Sequence, residues 1–549
     1  MRVLGLGGSH HDFSACLVED GQVVSSVEEE RLSRVKIAFG LGPRLQQCAA
    51  ADYVLSDAGI TIDDVDVVVA NDFINPVYTL RYRDRVEWMG HHLAHAASTF
   101  YTSPFEQASV MVVDGVGSTI EKDGLLYGET VSHYTGGPDG LEYIGGRHGR
   151  ITRRENRSDD PYEDSVGWMY ETVSKLIGFI GPGGMGEPGK TMGLAPYGSP
   201  RYITAFEGLY RVTEGGFQQS TEQQIRLREL VSKELGHAAG PSERDQVRAD
   251  FAHAVQHHVE HILVQLADWL HARTGSDDLC LAGGVALNSV ANFKILQRTP
   301  FKRVHVVPAA GDAGTGLGAA LHGYHALGDR KWIPADRPFS PYLGCEYSDE
   351  EIDRAIHEAP APLRSVRPDD VYQRVAGEIA GGAVVGWFQG RSESGPRALG
   401  NRSILGDPRH AGMKDLINAK VKHREAFRPF APVVLEKHQT EYFDSDVNAY
   451  YMLMVPQVLE DKRSVIPAVT HVDGTARLQT ASWSLNPRLC ELLSAFRDLT
   501  GVPVLLNTSF NDRDEPIVET PADAVRCFLN TRMDLLVLGD VIVSKGDPA

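Results

Sequence analysis

Four apolar runs that read as buried strands end in glycine-rich turns: MRVLGLGG, ASVMVVDGVGS, DDLCLAGGVALNSVAN and RVHVVPAAGDAGTGLGAAL. One such turn is a weak signal. Repeated along one chain, the pattern constrains the fold to α/β, because strand ends of this kind alternate with helices around a sheet. Between the first two runs, FSACLVEDGQVVSSVEEER reads as two strands joined by a Glu-Asp-Gly turn. LQQCAAADYVLSDAGI reads as a helix and VDVVVAND as another strand. An antiparallel hairpin among alternating strands and helices predicts a mixed sheet.

Several chemically capable residues fall at these strand ends. His10, His11 and Asp12 follow the first strand, where α/β folds place ligand groups. His91 and His95 in GHHLAHAAS are four apart, so a helix stacks their imidazoles on one face while His92 projects elsewhere. Asp114 closes an apolar strand just before Gly115 and Gly117, and Asp312 follows Gly311 at a second strand end. Two His and two carboxylates suit a divalent transition metal such as Fe(II) or Zn(II). His253, His257 and His261 also repeat every fourth residue, but with no acidic strand end beside them they read as a polar helix face. The stretch 181–198, GPGGMGEPGKTMGLAPYG, reads as a loop near ligand, with Lys190 among its glycines. Gly283 and Gly284 make a strand-to-helix turn leading to Asn288, a candidate anion site.

The chain has 549 residues, too many for one core, and a formal net charge of −19. That acidity argues against a general nucleic-acid or membrane surface. Six scattered cysteines without a CxxC pair fit a reducing cytosol, and neither a signal peptide nor a long apolar run is evident, so a cytoplasmic protein is expected. A Pro-rich stretch from about 329 to 365 predicts a connection of little structure, placed at 346–365 between domains 1–345 and 366–549. In the second domain the segment 387–435 gathers Arg391, Arg397, Arg402, Lys414, Lys420, Lys422, Arg424 and Arg428 amid Gly, Pro and aromatic residues. Such a basic island in an acidic protein predicts anion binding, because guanidiniums clamp oxygens in pairs. Arg477 follows a turn in HVDGTARLQTA, and Asn507-Thr508-Ser509 end the strand VPVLLNTSFN.

Taken together these pieces resemble the O-carbamoyltransferase family of nodulation and antibiotic-tailoring enzymes (the NodU/CmcH/TobZ type). The matching stretches are EEERLSR, HHLAHAAS, VVDGVGS, GKTMGLAPYG, LAGGVALN, GDAGTGLGAAL, GRSESGPRALGNRSIL, KHREAFRPFAPVV, DGTARLQT and GVPVLLNTSFN, in family order over almost the whole chain. The sequence departs at Ile37, where the family usually has His, and at Asp514, where it usually has Gly. The resemblance implies an N-terminal actin/sugar-kinase-like ATPase domain and a C-terminal YrdC-like twisted α/β domain. It implies carbamoyladenylate formation from carbamoyl phosphate and Mg-bound ATP in the second domain, then carbamoyl transfer to a hydroxyl in the first. His91, His95, Asp114 and Asp312 look like the family's iron ligands, for Fe(II) or another divalent metal, and His11 like its general base. Lys36 looks like the lysine that helps hold the intermediate, joined in the first domain by Asp12, Gly115, Gly117, Lys190, Gly283, Gly284, Asn288 and Gly311. Arg397, Lys422, Arg424, Arg428, Arg477, Asn507 and Ser509 look like the ATP and carbamoyl-phosphate contacts. An antibiotic-type small molecule is the implied acceptor, with no nucleic-acid or membrane partner, and a homodimer is compatible with it. Two alternatives stay open: a sugar-kinase-like ATPase with a regulatory ligand-binding domain, and a tRNA-modifying carbamoyl-type transferase.

Overall fold

The computed structural model describes residues 1–152 and 162–546. The chain divides into two compact units, Met1–Glu29 with Ile37–Phe339, and Glu30–Lys36 with Ser340–Ala549.

The first unit is built on two mixed sheets. One has the order Gln22–Glu28, Ser14–Glu19, Arg2–Gly7, Val67–Asn71, Val86–Met89. Its central strand runs antiparallel to the hairpin on one side and parallel to the strands on the other. Asp20 and Gly21 turn the hairpin with φ of 48° and 82°, the left-handed pair that a two-residue turn between twisted strands requires. The second sheet repeats this plan around Ala108–Val113. It has antiparallel Leu125–Gly137 and Gly140–Arg150 on one side and parallel Asp278–Ala282 and Arg303–Val306 on the other. Two copies of one sheet plan match the duplicated α/β arrangement implied for an actin/sugar-kinase-like domain.

Glycines let the elements approach closely. A Cβ on Gly5 would sit 2.1 Å from the carbonyl oxygen of Gly316, so the helix Thr315–His322 lies hard against the first strand. A Cβ on Gly318 would sit 1.8 Å from the carbonyl oxygen of Ala94 in the helix His91–Phe100. The helices Thr315–His322 and His91–Phe100 therefore pack backbone to backbone.

The second unit holds an eight-stranded mixed sheet. Its order is Leu363–Val366, Val541–Lys545, Leu535–Leu538, Val385–Phe388, Arg402–Gly406, Val504–Ser509, Ala431–Leu435, Gln479–Ala481. The helices Val371–Ala380, Pro487–Thr500 and Pro521–Asn530 are capped by the side chains of Asp370, Asn486 and Thr520. Among the described residues no helix is long and apolar enough to cross a membrane.

Three expectations need correction. The presumed connection 346–365 carries the helix Asp349–His357 and the edge strand Leu363–Val366, and the unit boundary falls after Phe339. Ser348 and Glu351 form a reciprocal capping box there and Ile352 is buried, local signals that outweigh the proline content. The supposed loop 181–198 contains the helix Pro188–Leu194, for which Pro188 supplies a ready-made first turn. Finally, Lys36 lies in the short segment Glu30–Lys36 that groups with the second unit rather than the first. Arg31 is buried and donates to the Gly395 carbonyl at 2.7 Å, while Arg34 donates to the carbonyls of Ile517 at 2.7 Å and Pro516 at 2.8 Å. These charge-assisted bonds hold the segment where its side chains, not its neighbours in sequence, dictate.

Candidate functional site

His91 and His95 share one face of the helix His91–Phe100, and both are fully buried. Asp114 sits one residue beyond the strand Ala108–Val113, and Asp312 opens the turn before Thr315–His322. One ligand atom from each of the four lies within 4.8 Å of every other. His95 Nε2 is 3.2 Å from His91 Nε2 and 3.1 Å from Asp114 Oδ2. His91 Nε2 stands 3.5 Å from Asp114 Oδ2 and 3.6 Å from Asp312 Oδ1. The other Asp114 oxygen accepts from Gly115 N at 2.7 Å and Gly284 N at 3.1 Å, which aims its partner oxygen at the imidazoles.

The electrostatics of this cluster are one-sided. Burial opposes charge on His91, but Asp114 and Asp312 win and raise it to about 10; His95 is raised in the same way. Burial likewise opposes charge on both carboxylates, yet the imidazoles hold Asp114 and Asp312 below the usual carboxylate range. Two imidazole nitrogens facing each other at 3.2 Å between two carboxylates need cationic charge between them, whether protons or a metal. Two nitrogen and two oxygen donors at this spacing suit a divalent first-row ion. His92 stays outside the cluster, as the helical spacing predicts, and bonds Ser132 Oγ at 2.8 Å. The residues His257 and His261 are exposed, and the His91–Asp312 group is the metal-type cluster found among the described residues.

His11 bonds Asp12 Oδ2 through Nδ1 at 2.9 Å. Burial lowers its proton affinity, but Asp12, with Asp312 and Asp114 beyond, raises it to about 9. The remaining first-unit candidates divide. Gly115 and Gly284 orient Asp114, whereas Gly117 lies against the His92 ring and Gly283 packs on the Val113 backbone. Asn288 caps the helix Ser289–Arg298 and bonds Gln256, and the Gly311 carbonyl accepts from Gly314 N within the Asp312 turn. Lys190 pairs with Glu187 at 2.6 Å, and Lys36 is exposed in the other unit's segment.

In the second unit the basic island splits in two. Arg402 is fully buried, donates to the carbonyls of Gln389 and Gly390 at 2.7 and 3.0 Å, and stacks on Phe388. Lys420 pairs with Asp534 at 2.7 Å. These are scaffold. Arg397, Arg424, Arg428 and Arg477 instead crowd one another. Burial, then the charges of the other three, hold Arg477 well below the ordinary guanidinium range. Burial and Arg428 lower Arg397 to about 10 and Arg424 to about 9. Arg428 has Glu425 at 3.7 Å, and Arg424 lies over the Phe430 ring. The Nε atoms of Arg397, Arg424 and Arg477 are buried without a hydrogen-bond acceptor. Like charges packed with unspent donors are arranged for an anion.

Lys422 behaves differently. Its Nζ, inside a buried pocket of acceptors, donates to Ser509 O at 2.5 Å and Asn511 Oδ1 at 2.6 Å, and Ser509 Oγ donates to the same Asn511 oxygen. Asn507 is buried and donates to the Ala398 carbonyl at 3.2 Å, bracing the loop that presents Arg397. Sequence reasoning missed two further supports. Glu393 Oε1 accepts the backbone N–H groups of Leu399 and Asn401 at 2.7 Å, and Asn71 bonds His91. Asn71 could have been found as a polar residue ending VDVVVAND at the same sheet edge.

Fold and site describe a two-unit α/β protein with a buried His/Asp cluster in one unit and an arginine quartet in the other. Residues 75–321 match the model for the carbamoyltransferase N-terminus and residues 376–545 that for the carbamoyltransferase C-terminus. The nodulation protein NolNO of Sinorhizobium fredii is 39% identical over 572 residues, covering 97% of this chain and 79% of its own. The 3'-hydroxymethylcephem-O-carbamoyltransferase of Amycolatopsis lactamdurans is 36% identical over 269 residues, 49% of each chain. Among solved structures, T. kodakarensis HypF aligns with TM-score 0.35 at 14% identity, over 60% of this chain and 48% of that one. The chain belongs to the carbamoyltransferase family.

Proposed function

We propose that the protein is an ATP-dependent O-carbamoyltransferase that works in two stages, one in each unit. In the second unit, carbamoyl phosphate loses phosphate to water, giving carbamate. A carbamate oxygen then attacks the α-phosphorus of ATP, and the bond to pyrophosphate breaks, leaving carbamoyladenylate. In the first unit, an acceptor hydroxyl attacks the carbamoyl carbon, AMP departs and a proton is released.

The observation that carries this reading is the arginine quartet. ATP and carbamoyl phosphate are both polyanions, and four crowded guanidiniums relieve their repulsion and stabilise charge moving onto pyrophosphate. A kinase-like reading of the first unit alone gives the quartet no role. In the transfer step, His11 takes the hydroxyl proton in its neutral form, the minor form at neutral pH because its proton affinity is raised to about 9, with Asp12 orienting its ring. His91, His95, Asp114 and Asp312 would hold a divalent metal, which supplies Lewis acidity toward the intermediate. The acceptor hydroxyl belongs to a small natural product, by analogy with the relative named for a hydroxymethylcephem.

The test follows pyrophosphate release from ATP with and without carbamoyl phosphate. Release that depends on carbamoyl phosphate is expected, with AMP appearing once a hydroxyl acceptor is added. Hydrolysis of ATP to ADP regardless of carbamoyl phosphate would overturn the reading.

A further inference from the structure

Asn71, the last residue of the strand Val67–Asn71, is fully buried and every polar atom of its amide is used. Its Nδ2 donates to the Gly8 carbonyl at 3.0 Å and to Thr315 Oγ1 at 3.1 Å. Its Oδ1 accepts from Phe73 N at 3.1 Å and lies 3.1 Å from His91 Nδ1. The orientation of this amide is over-determined. A carbonyl can only accept, so it must face the nitrogen; a backbone N–H can only donate, so it must face the oxygen. Thr315 agrees independently: its hydroxyl donates to Asp312 O at 2.6 Å and accepts from Gly8 N at 2.8 Å, leaving only a lone pair for Asn71. His91 Nδ1 therefore carries a proton and donates it to Asn71. The Nε2 of His91, 3.2 Å from that of His95, is left as the donor atom facing the cluster.

Resting on the metal reading above, we propose that Asn71 is the positioning residue of that centre. It fixes the ring and tautomer of His91 so that Nε2 ligates. Through Thr315, the same amide ties down the turn that carries Asp312. One side chain thus sets one nitrogen and one oxygen ligand, from different elements, in a single hydrogen-bond network. Outer-shell partners of ligating histidines act in this way generally, and losing one costs about 10- to 100-fold in metal affinity.

Zn(II) serves as a diamagnetic probe, titrated into the full-length protein labelled with 15N-histidine. The loaded, unaltered protein is expected to show His91 ligated through Nε2, with a slowly exchanging Nδ1–H. Asn71→Ala is expected to bind Zn(II) about 10- to 100-fold more weakly and to lose that protected proton. Thr315→Val removes the tie to Asp312, together with the acceptor that Gly8 N and Asn71 Nδ2 share, but leaves the bond between His91 Nδ1 and Asn71 Oδ1, and is expected to weaken binding while the Nδ1–H signal survives. Ligation through Nδ1 in the unaltered protein overturns the proposal even where Asn71→Ala does not fold. So does an Asn71→Ala protein with unaltered Zn(II) affinity. No Zn(II) uptake by the unaltered protein brings down the metal reading as well, which separates the two failures.

Discussion

Arg477 is surrounded by three other guanidiniums and has a buried Nε without an acceptor, an arrangement that costs the empty protein stability. Arg477→Ala is therefore expected to cut carbamoyl-phosphate-dependent pyrophosphate release by about two orders of magnitude without lowering the melting temperature. Parallel activity and thermal-melt measurements check this, and a melting point that falls with activity would contradict it. The histidine cluster makes a second prediction at this scale. His91 is raised to about 10, so in the metal-free protein it holds its proton at neutral pH, and His95 is raised in the same direction by the same two carboxylates. A metal must displace the His91 proton. Its apparent affinity accordingly rises with pH toward about 10 and falls in acid, by up to about tenfold per pH unit for each proton released. Calorimetry in buffers of different ionisation enthalpy counts those protons; a flat affinity with none released defeats the idea. The cluster of His91, His95, Asp114 and Asp312 was legible because helical spacing and strand ends leave marks in sequence. The division of the basic island was not. Nothing in a charge pattern says that Arg402 points at backbone carbonyls while Arg397 meets other arginines.

At the scale of elements, the cluster depends on how closely Thr315–His322 rides against His91–Phe100. An Ala at Gly318 would drive a methyl into the Ala94 carbonyl, so Gly318→Ala is expected to cost about 1–3 kcal/mol and to weaken metal uptake by parting Asp312 from the histidines. Denaturant unfolding and Zn(II) titration of the variant test both effects, and native behaviour in both would refute the packing argument. The same glycines show why sequence reading went partly astray. In GDAGTGLGAAL they suggest a ligand turn, but Gly316 and Gly318 chiefly admit neighbouring backbone. Conversely, the helix Asp349–His357 was hidden by proline-rich surroundings, although its capping box at Ser348 and Glu351 was there to read. Composition averages over a window, whereas a cap acts through two side chains. Contacts between residues distant in sequence, such as Gly318 with Ala94, have no local signature at all.

On the scale of the whole molecule, the two chemistries proposed for the two units should separate genetically. His95→Ala is expected to lose metal and carbamoyl transfer while pyrophosphate release from ATP continues. Metal analysis beside the two assays decides it, and loss of both activities would argue against separate centres. The segment Glu30–Lys36 adds a different dependence. A fragment of residues 340–549 would leave the carbonyls of Gly395, Pro516 and Ile517 without Arg31 and Arg34. Such a fragment is expected to be protease-sensitive and to gain protection from a synthetic peptide spanning residues 29–38; equal resistance with and without peptide would contradict this. Arg31 and Gly395 stand 364 residues apart in sequence. Closing a loop of that length carries an entropic cost of about 5 kcal/mol, felt before the contact returns anything. During synthesis Arg31 must therefore wait until nearly three-quarters of the polypeptide has emerged, and Arg34, which bonds the Pro516 and Ile517 carbonyls, until almost all of it has. The two units are consequently not beads on a string: no single cut or circular permutation point at their border yields two complete halves, and their folding is coupled in time by a few residues made near the start.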